Sequence, residues 1–477
     1  MSDPIRHALV ACKGEAEKRV QHLVIGSGVG GSLCADWHTK QGQAVLVLEE
    51  GPDISELASP ATLQTCMQGM WREGGIVPVE SNARFVFAEG RTVGGGSMVN
   101  AGILHRLPDV IRADWESRYK IEQYKQKDLE PFFQMAEDMC AAPPAQAPLP
   151  VQAELFCAGA KHQGWDAVTP LTTIGIQTDG AVRRQSMRAT YLAQAAQQGA
   201  KILTRCRAYR IHVENESSIK VSAEHTHPDG SKHLVTIYCE HLTLACGALQ
   251  TPLLLQRSGI TRGIGQTLRF HPTLRITAAF DSVVEPWKDL MSAIQIKALA
   301  PELSFGMSLS WPAHLAASLM PQWPASQSWL ASLKHLAMYY VATPSHGTGI
   351  VQSVGRSHYR VRYHLGADDL RWLEQGYRHL EALLHSAGAT YLAGSLRPGT
   401  EAARPFRAKD LFAMSIHAFS SCPMGERDDC PVDSYGRVKG FKRISIQDAS
   451  LLPEAPTVNP QLSIMATVLR NLTLSQN

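Results

Sequence analysis

Residues 415–430, SIHAFSSCPMGERDDC, hold a histidine five positions before a cysteine, and both side chains can do chemistry. His417 and Cys422 would form a nucleophile pair if a further group activated the thiol. With Cys430 they would supply part of a metal site, but zinc sites take three or four ligands and this spacing is not a recognised one. A neutral imidazole can also accept a proton, because the ordinary pKa of histidine is about 6.5. The stretch fits a packed loop as well, so its function depends on what the rest of the chain places beside it.

A β-α-β pattern lies near the start of the chain, in residues 22–51. A short apolar strand runs into Gly26, a helix follows the glycines, and a second apolar strand stops at Glu49. Gly26, Gly28 and Gly31 form a G-x-G-x-x-G pattern, which permits a tight turn, close approach of backbone to a pyrophosphate, and close packing of helix on strand. The helix N-terminus offers N–H groups to phosphates, and the acid after the second strand can bind a ribose. This segment predicts a dinucleotide-binding unit.

A second glycine cluster occurs in AEGRTVGGGSMVNAG, residues 88–102. Three consecutive glycines weaken helices and strands, so secondary-structure propensity does not explain them. A flexible loop fits poorly, because Val93, Met98 and Val99 would then be exposed. We therefore expect this loop to bring its backbone against a flat ligand.

Length and composition limit the class of protein. A chain of 477 residues is long for one core, so two domains or one elaborated domain are expected. The net charge of +3 and the lack of a Lys/Arg cluster argue against a nucleic-acid partner. The N-terminus has no apolar signal region, and no apolar run is long enough for a membrane span. Ten cysteines without a C-x-x-C pair indicate reduced thiols; no metal site is predicted, and the predicted location is the cytoplasm.

The remaining patterns indicate two sheets. A Pro-Asp-Gly turn divides the alternating residues 219–239 into a hairpin, after which the chain returns to an apolar strand and a glycine turn. We therefore expect a β-meander inserted into the dinucleotide sheet. Residues 273–366 supply the strands of a second domain, and residues 368–388 a helix with an apolar stripe. The Trp- and Leu-rich segment 311–341 either lines an apolar pocket or packs under a loop.

These segments together resemble the glucose–methanol–choline (GMC) family of FAD-dependent oxidoreductases over nearly the whole chain. GRTVGGGSMVN is similar to the family's first signature, GALQTPLLLQRSGI to its second, and ISIQDASLLPEAPTVNPQLSIM to its C-terminal flavin-contacting segment. The triple glycine, LRFHP at 268–272 and VEPW at 284–287 most resemble the branch of long-chain alcohol oxidases and cholesterol oxidases. Because several motifs occur in the family's order, the resemblance is specific.

The resemblance implies an α/β (α+β) fold. A Rossmann-like FAD-binding domain would carry the inserted meander, and a substrate-binding domain would contain an antiparallel sheet packed on helices. We expect residues 1–110, 186–268 and 420–477 to form the FAD-binding domain. Residues 111–185 and 269–419 would then form the substrate-binding domain.

The resemblance also implies a site. His417 matches the family's active-site histidine, and Asn459 matches the second member of that pair, which is His or Asn in the family. The matching cofactor-binding positions are Gly26, Gly28, Gly31 and Glu49 at the ADP end, Gly95, Gly96 and Asn100 beside the flavin, Ala208 at the adenine, and Asp448 and Pro460 in the closing segment.

The chain departs from the family's pattern at a few positions. Ser420 and Ser421 stand where Gly-Thr is usual, and Thr261 stands where the second signature usually has glycine. The first change affects the shape of the pocket more than its chemistry. No histidine matches the one that anchors flavin covalently in some members, so we expect FAD to be bound noncovalently.

The implied reaction is oxidation of a hydrophobic alcohol to an aldehyde or ketone. His417 would accept the hydroxyl proton, Asn459 would orient the substrate oxygen, and the carbinol hydride would go to flavin N5. The expected partners are the alcohol and either oxygen or another electron acceptor, and peripheral contact with a membrane is left open.

Three alternatives also stay open. A nicotinamide-dependent dehydrogenase would explain the β-α-β unit but not the glycine loop. A non-oxidative or light-driven flavoprotein of this fold, of lyase or fatty-acid decarboxylase type, would explain every cofactor motif. For His417 itself, the alternative is a histidine with a packing role.

Overall fold

The protein is described by a computed structural model that covers residues 3–10, 17–57, 62–142, 149–176, 182–215, 217–288, 293–356, 358–397 and 405–475. These residues form an α/β fold with two large sheets, which confirms the predicted fold class. Its α-helices are Pro4–Ala8, Val29–Lys40, Leu63–Met70, Asp109–Tyr119, Gln126–Cys140, Val151–His162, Tyr191–Gln197, Gly247–Arg257, Pro312–Leu319, Ala367–Ser386 and Gln461–Leu474. Among these described segments, no helix has both the length and the apolar character needed to cross a bilayer.

The first sheet contains the β-α-β unit. Its strands in spatial order are Lys201–Leu203, Val45–Leu48, Glu17–Ile25, Lys232–Leu244, Ser218–Thr226 and Cys206–Asn215, with Ile444–Ile446 paired to Lys232–Leu244. The strands of the β-α-β unit are parallel, as predicted, with His22 opposite Val45. All four residues of Val45–Leu48 are buried, which is typical of a parallel strand covered on both faces.

One long strand joins the parallel strands to the meander. Lys232–Leu244 pairs in parallel with Glu17–Ile25 and antiparallel with Ser218–Thr226. The meander is therefore confirmed, but its last strand and the expected returning strand are one continuous strand. Burial alternates along the first part of this strand and becomes continuous towards its end, where parallel strands lie on both sides.

The second sheet is mostly antiparallel. Its strands in spatial order are Val77–Val79, Arg84–Phe87, Phe412–Ser415, Thr273–Ala279, Leu336–Ala342, Ser304–Met307, Gln295–Ile296 and Ala167–Val168, with Tyr391–Gly394 also paired to Thr273–Ala279. One pair, Phe412–Ser415 with Arg84–Phe87, is parallel. The helix Ala367–Ser386 packs on this sheet through its predicted apolar stripe, of which Leu373, Tyr377, Leu380 and Leu384 are buried.

The smaller strands form separate two-stranded pairs. The hairpin of Gly349–Val354 with His358–Tyr363 lies within residues 273–366, which were expected to supply the second domain's strands, but it does not join the second sheet. The other pairs are Ile103–Leu104 with Leu171–Thr172, Ile174–Ile176 with Val182–Arg184, and Arg269–Phe270 with Ala418–Phe419. The last pair brings two parts of the candidate site together.

Only part of segment 311–341 packs in the interior, and Trp311, Met320, Trp323 and Leu330 are exposed. Leu315, Leu319, Leu336 and Met338 form a small hydrophobic cluster with Ala279 and Ala393. Only His314 and Tyr340 of this segment line the large cavity described below. Of the two alternatives for this segment, the structure therefore favours packing.

The division into two domains stays a prediction, and packing suggests one change to its boundaries. Trp115 and Phe132, from helices Asp109–Tyr119 and Gln126–Cys140, belong to the hydrophobic cluster of the first sheet. Helix Gln126–Cys140 also packs against the C-terminal helix Gln461–Leu474. We therefore propose that residues 109–140 belong with the FAD-binding domain.

Candidate cofactor and active site

The glycine turn of the β-α-β unit forms one wall of a cavity of about 280 Å³. Gly26 has a φ of +99°, and a Cβ atom there would lie 2.2 Å from the carbonyl oxygen of Ala245. Gly26 and Gly28 line this cavity, whereas Gly31 lies behind the turn, where a Cβ would meet the carbonyl oxygen of Gly26 at 1.9 Å. The turn thus has the tight geometry and the helix–strand packing that the motif predicted.

The triple-glycine loop meets this turn. Gly95 has a φ of +56°, and a Cβ atom there would lie 2.6 Å from the Cα of Gly28. The Gly94 N–H donates to Ser27 Oγ at 3.0 Å, which ties the two glycine segments together. Gly95 and Gly96 both line the cavity. Backbone rather than side chain therefore faces the cavity here, as a flat ligand requires.

Glu49 is buried at the end of its strand and lines the same cavity. Its Oε2 accepts hydrogen bonds from the Ser27 N–H (3.1 Å) and hydroxyl (2.6 Å), and its Oε1 accepts one from the Gly51 N–H (2.8 Å). Burial raises the pKa of this carboxyl. A carboxylate has about four acceptor positions, so one remains for a ribose hydroxyl.

Replacing Glu49 with alanine is expected to weaken FAD retention, because a charge-assisted hydrogen bond of about 1.5–3 kcal/mol is lost. The flavin content of the purified protein after extensive dialysis measures this. Glu214→Ala, an exposed residue of the same sheet, is the matched control. Unchanged flavin content in Glu49→Ala would exclude Glu49 as the ribose ligand.

Asn100 and Asp448 line the cavity, but most of their polar atoms already have protein partners. The Asn100 amide donates to Gln461 Oε1 at 2.7 Å, and its oxygen accepts from Gly102 N–H and Arg184 Nη1. Asp448 accepts from the backbone N–H and hydroxyl of Ser450, and from Gly247 N–H and Thr251 Oγ1. Both residues therefore hold the loops that form the wall.

The rest of the cavity fits the polar parts of FAD. Ala208 and Pro460, which are expected to contact FAD, line it, and so does the first turn of helix Val29–Lys40, whose N–H groups suit a pyrophosphate. Arg257 also lines it, and its Nε and Nη2 are buried without a hydrogen-bond partner among the described residues. Such donors fit the oxygen atoms of an ADP group.

A second cavity of about 430 Å³ adjoins the first. Nine residues line both: Trp71, Ala88, Val99, Asn100, Ala101, Ile103, Ile416, His417 and Asn459. Both predicted catalytic residues therefore lie in the shared wall. This is where a substrate in one cavity would meet a flavin in the other.

A chain of hydrogen bonds defines the proton positions on His417. His271 Nε2 donates to the carbonyl oxygen of Pro456, which leaves His271 Nδ1 as an acceptor. His417 Nδ1 lies 3.0 Å from that atom, so it carries the proton and donates it. His417 Nε2 is then the unprotonated nitrogen. Burial and the charge of Lys297 lower the pKa of His417 to about 4, so the imidazole is neutral and can accept a proton.

A second network positions Asn459. Gln295 Nε2 donates to Asn459 Oδ1 at 3.3 Å and to the Tyr340 hydroxyl at 2.7 Å. His105 Nε2 lies 2.5 Å from Gln295 Oε1 and fixes the orientation of this amide. Since Asn459 Oδ1 is an acceptor in this network, its Nδ2 is the group that can donate to a substrate oxygen.

Two residues of the site were not predicted. His271 lies in LRFHP, which the sequence offered only as a marker of a family branch. Gln295 lies 164 residues before Asn459, in a strand with no motif of its own. The histidine in LRFHP was the only sequence feature that could have indicated His271, and no sequence feature indicated Gln295.

The nucleophile and metal alternatives for the opening stretch find no support. Burial and the nearby Asp448 raise the pKa of the Cys422 thiol well above its ordinary value, so it stays protonated. The ring of His417 contacts His271 and Phe419. Among the described residues, no group of three or more His, Cys, Asp or Glu side chains could hold a metal ion.

Ser420 has the backbone conformation expected of the glycine that usually stands at this position. Its φ of +64° lies in the left-handed region, where glycine is favoured, and its buried hydroxyl has no partner among the described residues. Ser421 Oγ donates to the carbonyl oxygen of Ala248 at 2.6 Å. The backbone thus keeps the shape that a glycine would give it.

Comparison with known proteins agrees with this geometry. Two family models, both described as GMC oxidoreductase, match residues 67–273 and 352–467. An uncharacterized GMC-type oxidoreductase (y4nJ) of Sinorhizobium fredii is 32% identical, over 96% of this chain and 94% of that protein. The long-chain-alcohol oxidase FAO3 of Arabidopsis thaliana is 25% identical, over 93% of this chain and 66% of the plant protein. An oxygen-dependent choline dehydrogenase of Paraburkholderia phytofirmans is 24% identical, over 93% of this chain and 92% of that protein.

Solved structures show the same fold. The pyridoxine 4-oxidase of Mesorbium loti superposes with a TM-score of 0.73 at 18% identity, over 96% of this chain and 99% of that one. An FAD-dependent oxidoreductase of Chaetomium thermophilum gives a TM-score of 0.70 at 16% identity, again over 96% of this chain. Motifs, cavity and relatives agree: this chain belongs to the GMC oxidoreductase family of flavoproteins.

Proposed function

We propose that this protein uses noncovalently bound FAD to oxidise a CH–OH group on a largely apolar substrate to an aldehyde or ketone. The observation that carries this proposal is the position of His417 and Asn459 in the wall between the two cavities. When bound, FAD supplies the hydride acceptor. The protein supplies a base, a hydrogen-bond donor and a largely apolar cavity.

The proposed proton acceptor is His417 Nε2. The hydrogen bond from His417 Nδ1 to His271 keeps Nε2 free of a proton. Asn459 Nδ2 donates to the substrate oxygen and holds it beside this nitrogen, as its fixed orientation towards Gln295 permits. Loss of the hydroxyl proton makes the carbinol carbon a better hydride donor, so proton acceptance and oxidation are linked.

The second cavity suits an apolar substrate body. The apolar side chains that line it include Met67, Ile76, Val86, Met307, Leu309, Met414 and Val458. The described residues that line it include no Asp or Glu. This composition favours an aliphatic alcohol over a sugar, whose many hydroxyl groups need polar partners.

A substrate panel tests the proposal. Purified protein is mixed with primary and secondary aliphatic alcohols without oxygen, and the flavin absorbance is followed. We expect the alcohols to bleach the flavin absorbance and to yield an aldehyde or ketone in an amount equal to that of the reduced flavin. A different result would indicate a decarboxylase: the flavin stays oxidised with every alcohol, and the protein releases CO₂ from fatty acids in light. Acid precipitation of the protein should release the FAD, as noncovalent binding requires.

The pH dependence of flavin reduction should reflect the lowered pKa of His417. The base form of a group with a pKa of about 4 persists to lower pH than that of an ordinary histidine. Reduction by alcohol should therefore change little between about pH 5 and 8 and decrease only at more acidic pH, since the base is lost when it is protonated. An acid limb with an apparent pKa near the ordinary value for histidine would contradict this environment for His417.

A further inference from the structure

Arg275 places a cation in the substrate cavity. It lies in the strand Thr273–Ala279. Its side chain is on the same face of the sheet as that of Thr273, and both residues line this cavity. The residues opposite them in the neighbouring strand, Tyr340 and Ala342, line it as well. The guanidinium group thus belongs to the wall that faces the substrate.

No carboxylate of the described residues pairs with this guanidinium group, and burial lowers the pKa of Arg275 to about 10. Two other arginines of the interior, Arg72 and Arg188, are paired with carboxylates, whereas Arg257, unpaired among the described residues, lines the first cavity. Arg72 Nη1 lies 2.9 Å from Glu50 Oε1, and Arg188 Nε lies 2.6 Å from Asp53 Oδ1. Arg275 is half-buried, and an unpaired charge in a largely apolar cavity is costly, so an anionic group on a ligand would stabilise it.

His314 provides a second polar group at the same place. It lies in the helix Pro312–Leu319 and lines the same cavity. Burial and the charge of Arg275 lower the pKa of His314, so its imidazole is neutral. Its Nδ1 is buried without a hydrogen-bond partner among the described residues. A neutral imidazole and a guanidinium group together can bind an anion through charge-assisted hydrogen bonds.

Building on the function proposed above, we propose that the substrate alcohol carries a carboxylate group, which binds Arg275 while its hydroxyl group lies at His417. His271, the partner of His417, and Arg275 are four residues apart on an extended segment, so their Cα atoms lie about 13 Å apart. The apolar side chains between them fit the hydrocarbon chain that joins the two groups. The substrate class is therefore a hydroxy acid with an aliphatic chain.

Two considerations favour a carboxylate at Arg275. A single guanidinium group balances one negative charge, whereas a phosphate monoester carries about two. The other buried cation nearby, Lys297, donates to Ser304 Oγ at 3.0 Å and is not among the residues that line the cavity. Lys297 lies close enough to His417 to lower the pKa of that imidazole, so it is near the proposed position of the substrate hydroxyl group and not near that of the carboxylate.

Substrates that differ only in whether they carry a carboxylate measure the contribution of that charge. The probes are ω-hydroxydodecanoate, its neutral methyl ester and dodecanol, and the quantity measured is kcat/KM for anaerobic flavin reduction. The acid should exceed the ester by about 10–100-fold, the value of a charge-assisted hydrogen bond. In Arg275→Met this ratio should fall to about one, in Arg275→Lys it should be intermediate, and in Arg360→Met, an exposed arginine, it should equal that of the parent.

Binding gives an independent measurement. Dodecanoate, which has no hydroxyl group, should perturb the flavin absorbance spectrum of the parent and of Arg360→Met, and should do so far more weakly in Arg275→Met. Flavin content and melting temperature establish that each variant is folded. If the ester and dodecanol reduce the flavin as well as the acid does, and Arg275→Met leaves the ratio unchanged, this inference is overturned while alcohol oxidation stands. If no alcohol reduces the flavin but dodecanoate binds through Arg275, the carboxylate site stands and the proposed oxidation fails.

Discussion

Replacing His417 with alanine is expected to slow anaerobic flavin reduction by about 10²–10⁴-fold, the usual contribution of a positioned acid or base. Without His417 Nε2 the hydroxyl proton has no acceptor, so the loss should appear in the reduction step and not in substrate binding. Stopped-flow measurement of reduction at several substrate concentrations separates the two. FAD content should equal that of the parent, because the glycine turn, the triple-glycine loop and Glu49, which line the first cavity, are unchanged in this variant.

A packing role for His417 predicts a different result. His417→Ala would then lower the melting temperature and leave the reduction rate nearly intact. His346→Ala, an exposed histidine outside both cavities, controls for loss of an imidazole. Asn459→Ala should also slow reduction, and the double variant with His417→Ala should lose less than the product of the two, because both residues act on one substrate oxygen.

Replacing His271 with phenylalanine is expected to slow reduction by about 10²-fold, although His271 is a positioning residue and not the base. Phenylalanine keeps the ring packing against Phe419, 4.8 Å between centroids, but cannot accept the hydrogen bond from His417 Nδ1. The proton on His417 is then no longer confined to Nδ1. The fraction with Nε2 unprotonated decreases, and the ring loses its fixed orientation.

A conservative variant distinguishes positioning from packing. His271→Gln has a donor for the Pro456 carbonyl oxygen and an acceptor for His417, so it should recover part of the rate that His271→Phe loses. A purely structural role would make rate and melting temperature change together in both variants. Equal rates in His271→Phe and the parent would show that the histidine pair does not determine the tautomer of His417.

The glycine-turn wall of the first cavity could be predicted from sequence because its determinants are local. Gly26, Gly28 and Glu49 lie within one β-α-β unit, and the spacing of such a unit fixes how turn, helix and strand meet. All three line the cavity, as expected. The loop around Gly95 was also predictable, since consecutive glycines have few other uses.

The substrate end could not be predicted in the same way. Arg275 lies in the strand Thr273–Ala279 and His271 just before it, the partners of this strand come from distant parts of the chain, and neither residue has a spacing that marks it. The role of His271 depends on its acceptor nitrogen lying beside His417. The role of Arg275 depends on the absence of a carboxylate partner among the described residues. Sequence patterns report periodicity and turns, but they do not report which buried groups remain unpaired.

The histidine pair also has a consequence for folding. His271 and His417 are 146 residues apart in the chain, and the strands beside them pair over only two residues, Arg269–Phe270 with Ala418–Phe419. Closing such long loops costs conformational entropy, so these contacts form late in folding, after local helices and hairpins have formed. In refolding from denaturant, catalytic activity should therefore return after the circular dichroism signal does, which makes turnover a probe of the last tertiary contacts to form.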